Sequence, residues 1–380
     1  MNGGIRMPKY ELSITKNYAP DWTLSNAIRE LFQNALDQET VCPDNPMSWN
    51  YDKETQIMTI SNAKSKLETK SLLLGSTTKV DNDDTIGQFG EGYKIATLVL
   101  TRLGKRVTIF NYGAKEVWHS YFKYSKKYDA EILMFDVDKK FPWTKVPDND
   151  LTIKISGITE EEFNIVVDSN LHMQENYTHI ESEQGQILLD DHMKGRMFVN
   201  GLYIITDSSF EYGYNFKPFY IELDRDRRLI PYFELKWVTS KMWTSNQSSE
   251  ATEIATKLLE KGAVDVAFIR ESSHGKAQLD AISNNVMNNF ISNYGENAVP
   301  VYRQEDAEKV PDTHRPIIVP ETVVKAITYN VNYTPVEQVK EPTFIEKLEE
   351  WLDKYGGNIK RDARRDLIGI IKEEKEKQDD

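Results

Sequence analysis

Between Asn26 and Gln38 the chain reads as one helical segment with two incompatible faces, and a layered fold must satisfy both. The stretch from Asp21 to Ser25 offers several capping side chains ahead of it. At about 100° per residue, Glu30, Asn34 and Asp37 fall within roughly 60° of one another on one stripe. Ile28, Leu31, Phe32, Ala35 and Leu36 occupy the other side and demand an apolar partner. Taken alone, this spacing also fits an ordinary amphipathic helix with a solvated polar face.

The flanking segments supply the partner. Residues 8–16 alternate like an edge strand. Two short strands around a polar turn are expected at 47–51 and 56–61, and further strands at 106–112, 117–124, 130–136 and 151–155. A second helix is expected from Tyr93 to about Leu103. Strands mixed with buried helices make an α+β layered domain over residues 1–160. A second α+β domain is expected over 161–335. It holds a helix at 159–173, a polar connection, strands around 196–205 and an aromatic, charged stretch at 214–243. Helices follow near 250–261, 278–294 and 321–327, with short strands at 299–302 and 316–319. The segments 344–355 and 360–377 read as a charged helical tail within 336–380.

Composition narrows the function classes. A chain of 380 residues with 39% hydrophobic content, 15 Phe and 19 Tyr can bury more than one core. A formal charge of −13 argues against nonspecific nucleic-acid coating, which needs a basic surface. The single Cys42 excludes a disulfide framework or a cysteine-based zinc site within one chain. No apolar run approaches the roughly 20 residues that span a bilayer, and the first residues lack the apolar core of a signal peptide. A soluble protein of a reducing cytoplasm, without membrane partners, is the expectation.

A second motif changes the reading of the first. Ile86 to Lys94 places Gly87, Gly90 and Gly92 within a short span immediately before a helix. Glycines there let the backbone approach an anion, and the N–H groups of the helix start point at it. The segment lacks the strand context of a dinucleotide-binding turn and the Gly-Lys-Ser/Thr ending of a P-loop.

In this order and about fifty residues apart, the two motifs resemble the GHKL superfamily of Bergerat-fold ATPases. That group includes DNA gyrase B, the heat-shock chaperone of ninety kilodaltons, MutL, sensor histidine kinases and MORC ATPases. The resemblance covers about residues 10–160. It implies a two-layer α/β sandwich that binds ATP and Mg²⁺, followed by a transducer-like α+β domain. By position, Glu30 would be the water-activating base, Asn34 the magnesium ligand, and Gly87, Gly90 and Gly92 the phosphate loop. Asp37, Tyr93 and Lys94 belong to the same implied cofactor surface. Leu72 to Lys79 looks like the lid segment of the chaperone and MORC branches, and Thr152 stands in register with the Thr of the family's Gly-Thr strand.

Two departures concern the base. Where the family usually carries Asp-x-Gly-x-Gly, this chain has Asn62-Ala63-Lys64-Ser65-Lys66, so Asn62 would have to read adenine in place of Asp. Leu151 stands where the strand motif has Gly. Downstream, Asp224 to Arg228 is a charge run of the kind that is usually solvated. By resemblance, Arg225, Arg227 or Arg228 would send a cation back to the terminal phosphate, with Lys79 and Lys94 as alternatives.

The implied function is an Mg²⁺-dependent ATPase acting as a conformational switch. Its partners would be ATP, a protein client the sequence does not identify, and a second copy bound in a nucleotide-dependent homodimer. Two other classes compete: a nucleotide-sensing or hydrolysis-incompetent binding module, favoured by the Asn62 region, and a DNA-acting ATPase component. A histidine-kinase role fits poorly, because no dimerisation helix with a phosphoacceptor His precedes the motifs.

Overall fold

The first strand, β1 (Lys9–Thr15), turns Leu12 and Ile14 inward by simple alternation. The structure, a computed structural model, describes residues 8–72, 92–139, 150–223, 231–246, 248–269, 276–336 and 343–378. The chain divides into two compact units, Met1–Ala251 with Ala263–Gly275, and Thr252–Gly262 with Lys276–Asp380.

In the first unit, α1 (Leu24–Val41) starts at a reciprocal cap. Thr23 Oγ1 accepts from the Asn26 N–H, and Asn26 Oδ1 accepts from the Thr23 N–H. The helix begins two residues earlier than the pattern predicts, because the cap sits at Thr23, and ends three later, at Val41. Then come β2 (Met47–Asp52), β3 (Ile57–Asn62), α2 (Gly92–Arg102), β4 (Arg106–Asn111), β5 (Glu116–Ser125), β6 (Ala130–Asp138) and β7 (Leu151–Ser156). The seven strands form one antiparallel sheet in the order β1-β6-β5-β4-β7-β3-β2. α1 and α2 pack on each other and on one face of that sheet. Ile28, Leu31 and Phe32 meet Met58, Ile60, Leu98 and Ile155 in this core, all nearly inaccessible. Complete burial of each such side chain contributes about 1.5–3 kcal/mol.

The segment α3 (Glu160–Asp168) lies beside α1. It is shorter than the predicted helix because Ser169 and Asn170 end it, and a 3₁₀ turn, Leu171–Met173, follows. A second sheet holds β8 (His179–Ser182), β9 (Gly185–Leu188), β10 (Arg196–Val199), β11 (Leu202–Thr206) and β12 (Gly213–Phe216), in the order β11-β10-β12-β9-β8. The strands β8 and β9 replace the polar connection expected there. Four-residue strands with polar side chains on one face show too little alternation to be read from sequence.

α4 (Tyr232–Ser245) is tied to this sheet through buried polar contacts. Tyr214 Oη donates to Asp265 Oδ1 at 2.6 Å and accepts from Trp243 Nε1 at 2.9 Å, while the Glu211 and Tyr212 N–H groups donate to the same carboxylate. Burial raises the Asp265 pKa, and these hydrogen bonds pull it back.

α5 (Ser249–Lys261) leads into the second unit, which continues with α6 (Lys276–Tyr294), β13 (Ala298–Val301), α7 (Gln304–Ala307), β14 (Arg315–Ile318) and α8 (Glu321–Thr328). β13 and β14 pair in parallel. The last two helices, α9 (Phe344–Tyr355) and α10 (Arg361–Gln378), form a hairpin around Ile345, Leu352 and Ile371. The fold class is therefore α+β: a two-layer sandwich of helices on an antiparallel sheet, with further α/β and helical regions. No helix among the described residues is long and apolar enough to cross a membrane.

Candidate functional site

The polar stripe of α1 is not solvated. Glu30 is 3% exposed and Asp37 1%, with Asn34 half-buried between them. A merely amphipathic helix would turn such residues to water, since burying a charge without partners is costly. The Asn34 side chain donates from Nδ2 to the Glu30 carbonyl at 2.7 Å, which fixes the amide and directs Oδ1 away from the helix backbone.

The start of α2 meets this stripe. A Cβ placed on Gly92 would lie 2.5 Å from Glu30 Oε2 and 3.3 Å from Asn34 Nδ2. Only glycine allows the main chain to sit this close to both side chains. The fold thus brings together Glu30, Asn34 and Gly92, which the sequence separates by more than fifty residues.

Next to Gly92, the Tyr93 hydroxyl donates to the Ser71 carbonyl at 2.8 Å and lies 3.0 Å from Ser71 Oγ. Burial pushes the Tyr93 pKa up to about 12, against the lowering effect of the Ser71 hydroxyl. Asn111 holds the same segment from the other side: its amide donates to Leu67 O at 2.8 Å and accepts from Leu67 N at 3.1 Å. The segment leading into the expected lid is therefore anchored at Leu67 and Ser71. Lys94 is fully buried, with Nζ 5.6 Å from the centroid of the Tyr93 ring.

Asn62 lies at the end of β3, 6% exposed, and its Nδ2 donates to Ala35 O at 2.9 Å and to Asn45 O at 3.1 Å. Two carbonyl acceptors fix the amide orientation, because the flipped form would set oxygen against oxygen. Asn62 thus joins the sheet to α1 at Ala35. The structure does not bring Thr152 to this face. Asn62 pairs with Leu151 and Ser61 with Thr152, and the Ser61 and Thr152 hydroxyls meet at 2.8 Å on the side of the sheet away from α1. Leu151 is the β7 residue that shares the Asn62 face.

Lys79, Gly87, Gly90, Arg225, Arg227 and Arg228 lie outside the described residues. Among the described residues no group of three His, Cys, Asp or Glu side chains is gathered as a metal cluster.

Sequence reasoning missed two residues. Arg29 is 6% exposed; its Nη2 lies 3.5 Å from Glu30 Oε1, and its Nη1 donates to Tyr203 O on β11 at 3.2 Å. A basic residue next to Glu30 was visible, but adjacent helix positions point about 100° apart and carry no pairing signal. Gln33 is 2% exposed, and its Nε2 has no hydrogen-bond partner among the described residues. It lies one residue before Asn34, between the positions of Glu30 and Asp37.

No protein-family model matches the chain. An uncharacterized protein of Mycoplasma pneumoniae is 25% identical over 207 residues, 53% of this chain and 81% of that protein. Among solved structures, the ATPase region of Saccharomyces cerevisiae topoisomerase II aligns over 47% of this chain with 11% identity and a TM-score of 0.31. That alignment spans 62% of the yeast chain, less than two thirds of it. The ATPase and transducer domains of Balamuthia mandrillaris DNA topoisomerase II align over 66% of this chain and 69% of their own, with 11% identity and a TM-score of 0.34. These are weak, partial likenesses to topoisomerase ATPase domains.

Proposed function

We infer that this chain is a nucleotide-dependent conformational switch of the GHKL type, binding ATP with Mg²⁺ at the junction of α1 and α2. The observation that carries this reading is the Gly92 main chain seated against the Glu30 carboxylate and the Asn34 amide. A side chain at Gly92 would fill the space through which a phosphate could approach both residues.

The residues fit the group they would hold. Asn34 Oδ1 is a hard oxygen ligand of the kind Mg²⁺ prefers, and Mg²⁺ commonly completes its shell with phosphate oxygens and water. When bound, the ion would neutralise charge on the phosphates. Glu30 would orient a water and take its proton as the water oxygen attacks the terminal phosphorus, whose bond to the bridging oxygen breaks so that ADP leaves. Arg29 would hold that carboxylate in place and join it to β11 through Tyr203 O. Asn62, with its nitrogen committed to two carbonyls, would accept the adenine amino proton at Oδ1. Residues 161–335 would respond as a transducer, with the cation of Arg225, Arg227 or Arg228 turned toward the terminal phosphate. Differential stability of the open and closed states would then do the work.

The test is Glu30→Ala. Nucleotide affinity should stay within a few-fold while turnover falls by roughly 10²–10⁴. Equal turnover in mutant and parent would remove Glu30 from the chemistry. A parent that binds ATP without turnover would support the second reading, a nucleotide-sensing binding module, which the Asn62 substitution for Asp favours.

A further inference from the structure

The α9–α10 hairpin closes on only three buried side chains, Ile345, Leu352 and Ile371. Leu348 and Leu367 pack against these, and several other apolar residues of the hairpin are outside. Phe344 is 77% exposed, Trp351 43%, Tyr355 42% and Ile370 57%. At about 100° per residue, Phe344, Trp351 and Tyr355 fall within roughly 40° of one another, on one flank of the buried stripe of α9. Ile370 lies to one side of the Leu367–Ile371 stripe on α10. In an antiparallel hairpin that is the same side as the three rings. Ile368 lies on the opposite flank, which carries Glu349 and Asp353 of α9 and Arg361 and Arg365 of α10. One face of the hairpin is thus apolar and the other charged.

We propose that this apolar face binds the same face of a second copy of the chain. The product is a four-helix bundle in which α9 of each copy lies antiparallel over α10 of the other, and it forms without nucleotide. The charges bordering the face select this arrangement. Lys347 and Lys354 lie on the outer edge of α9, with Glu350 behind them, while Asp362, Asp366 and Glu373 lie on the outer edge of α10. With α9 over the partner's α10, basic edges meet acidic edges on both sides. With α9 over the partner's α9, like charges meet twice. Asp362 and Asp366 also lie 3.5 and 4.0 Å from Arg365 of their own helix, exposed contacts that bind weakly.

The size of the face fits a stable pair. Taking about 150–250 Å² for each ring, the three aromatics and Ile370 leave roughly 400 Å² uncovered in each copy. Two such faces, at an apolar share of about 65%, imply a total interface near 1,200 Å², the lower end of the stable range. The shape also follows a common rule: a self-complementary patch on a two-fold axis closes without leaving a free surface.

The experiment uses the full chain at about 50 µM without nucleotide, a concentration suited to a modest interface. Sedimentation velocity should show a dimer. Lys347→Glu/Lys354→Glu and Asp362→Lys/Asp366→Lys should each sediment as a monomer, because both edges of either homodimer become repulsive. Mixed together, the two variants should form a heterodimer, since both of its edges are then attractive. All four positions are exposed, so circular dichroism should match the parent. A monomeric parent, variants that dimerise like the parent, or a mixture that stays monomeric would each overturn the proposal. Binding or hydrolysis of ATP does not enter any of these outcomes.

Discussion

Replacing Gly92 by Ala tests the meeting of α1 and α2 without reference to any ligand. The added Cβ would sit 2.5 Å from Glu30 Oε2, nearly an ångström inside ordinary contact. Glu30 is 3% exposed and lies against Arg29, so its carboxylate has little room to retreat. Overpacking of this kind costs about 1–3 kcal/mol. Glu30→Ala removes the atom that the Cβ would strike. In that background the same substitution should become neutral or stabilise by up to about 1 kcal/mol, since Ala is the better helix former and Gly92 is not in the left-handed region. The double-mutant cycle, read by urea unfolding, should therefore give a coupling of about 1–3 kcal/mol. Equal penalties in both backgrounds would place the crowding elsewhere, and no penalty in the parent would show that Gly92 is not seated on Glu30. In the nucleotide reading, displacing the carboxylate by an ångström would also lower turnover by about 10²-fold.

Two further outcomes follow from the buried polar groups. Asn62→Ala should lower both stability and ATP affinity by about 1–3 kcal/mol, because it leaves the Ala35 and Asn45 carbonyls without their donor. Asn62→Asp should weaken stability as well, by setting a carboxylate against those carbonyls; unchanged melting temperatures for both variants would contradict the anchoring role. Asp265→Ala should destabilise the first unit by at least about 1–3 kcal/mol, as two N–H groups and the Tyr214 hydroxyl lose one acceptor. Because burial raises the Asp265 pKa above its unfolded value, the parent gains from this site at low pH and loses that gain as pH rises through the folded pKa. The variant should lack that slope in a pH series of melting temperatures.

Much of the first sheet was legible because its strands alternate and its helices carry long apolar stripes. Leu12 with Ile14, and Met58 with Ile60, follow a period of two, and Ile28, Leu31 and Phe32 a period near 3.6. The Glu30, Asn34 and Asp37 stripe was legible for the same reason, and so was the glycine ahead of α2. What the sequence hid depends on tertiary placement. Asn62 was identified as a reader of adenine, but its nitrogen is committed to tying β3 to α1, which no local pattern encodes. Thr152 matched a family position in register, yet pairing with Ser61 turns it to the other face of the sheet. Arg29 reaches a carbonyl on β11, a contact across more than 170 residues of chain. The strands β8 and β9 were too short and polar for their periodicity to stand out.

The most direct test of the account is Mg²⁺-dependent nucleotide binding at the α1–α2 junction. Thermal unfolding would be followed with a nonhydrolysable ATP analogue, with and without Mg²⁺, for the parent and for Asn34→Ala. At about 100 times its Kd the analogue should add about 2.7 kcal/mol of stability to the parent. Most of that gain should disappear when Mg²⁺ is removed or when Asn34 is replaced. A parent that no nucleotide stabilises, or a gain indifferent to both Mg²⁺ and Asn34, would contradict the assignment of this site.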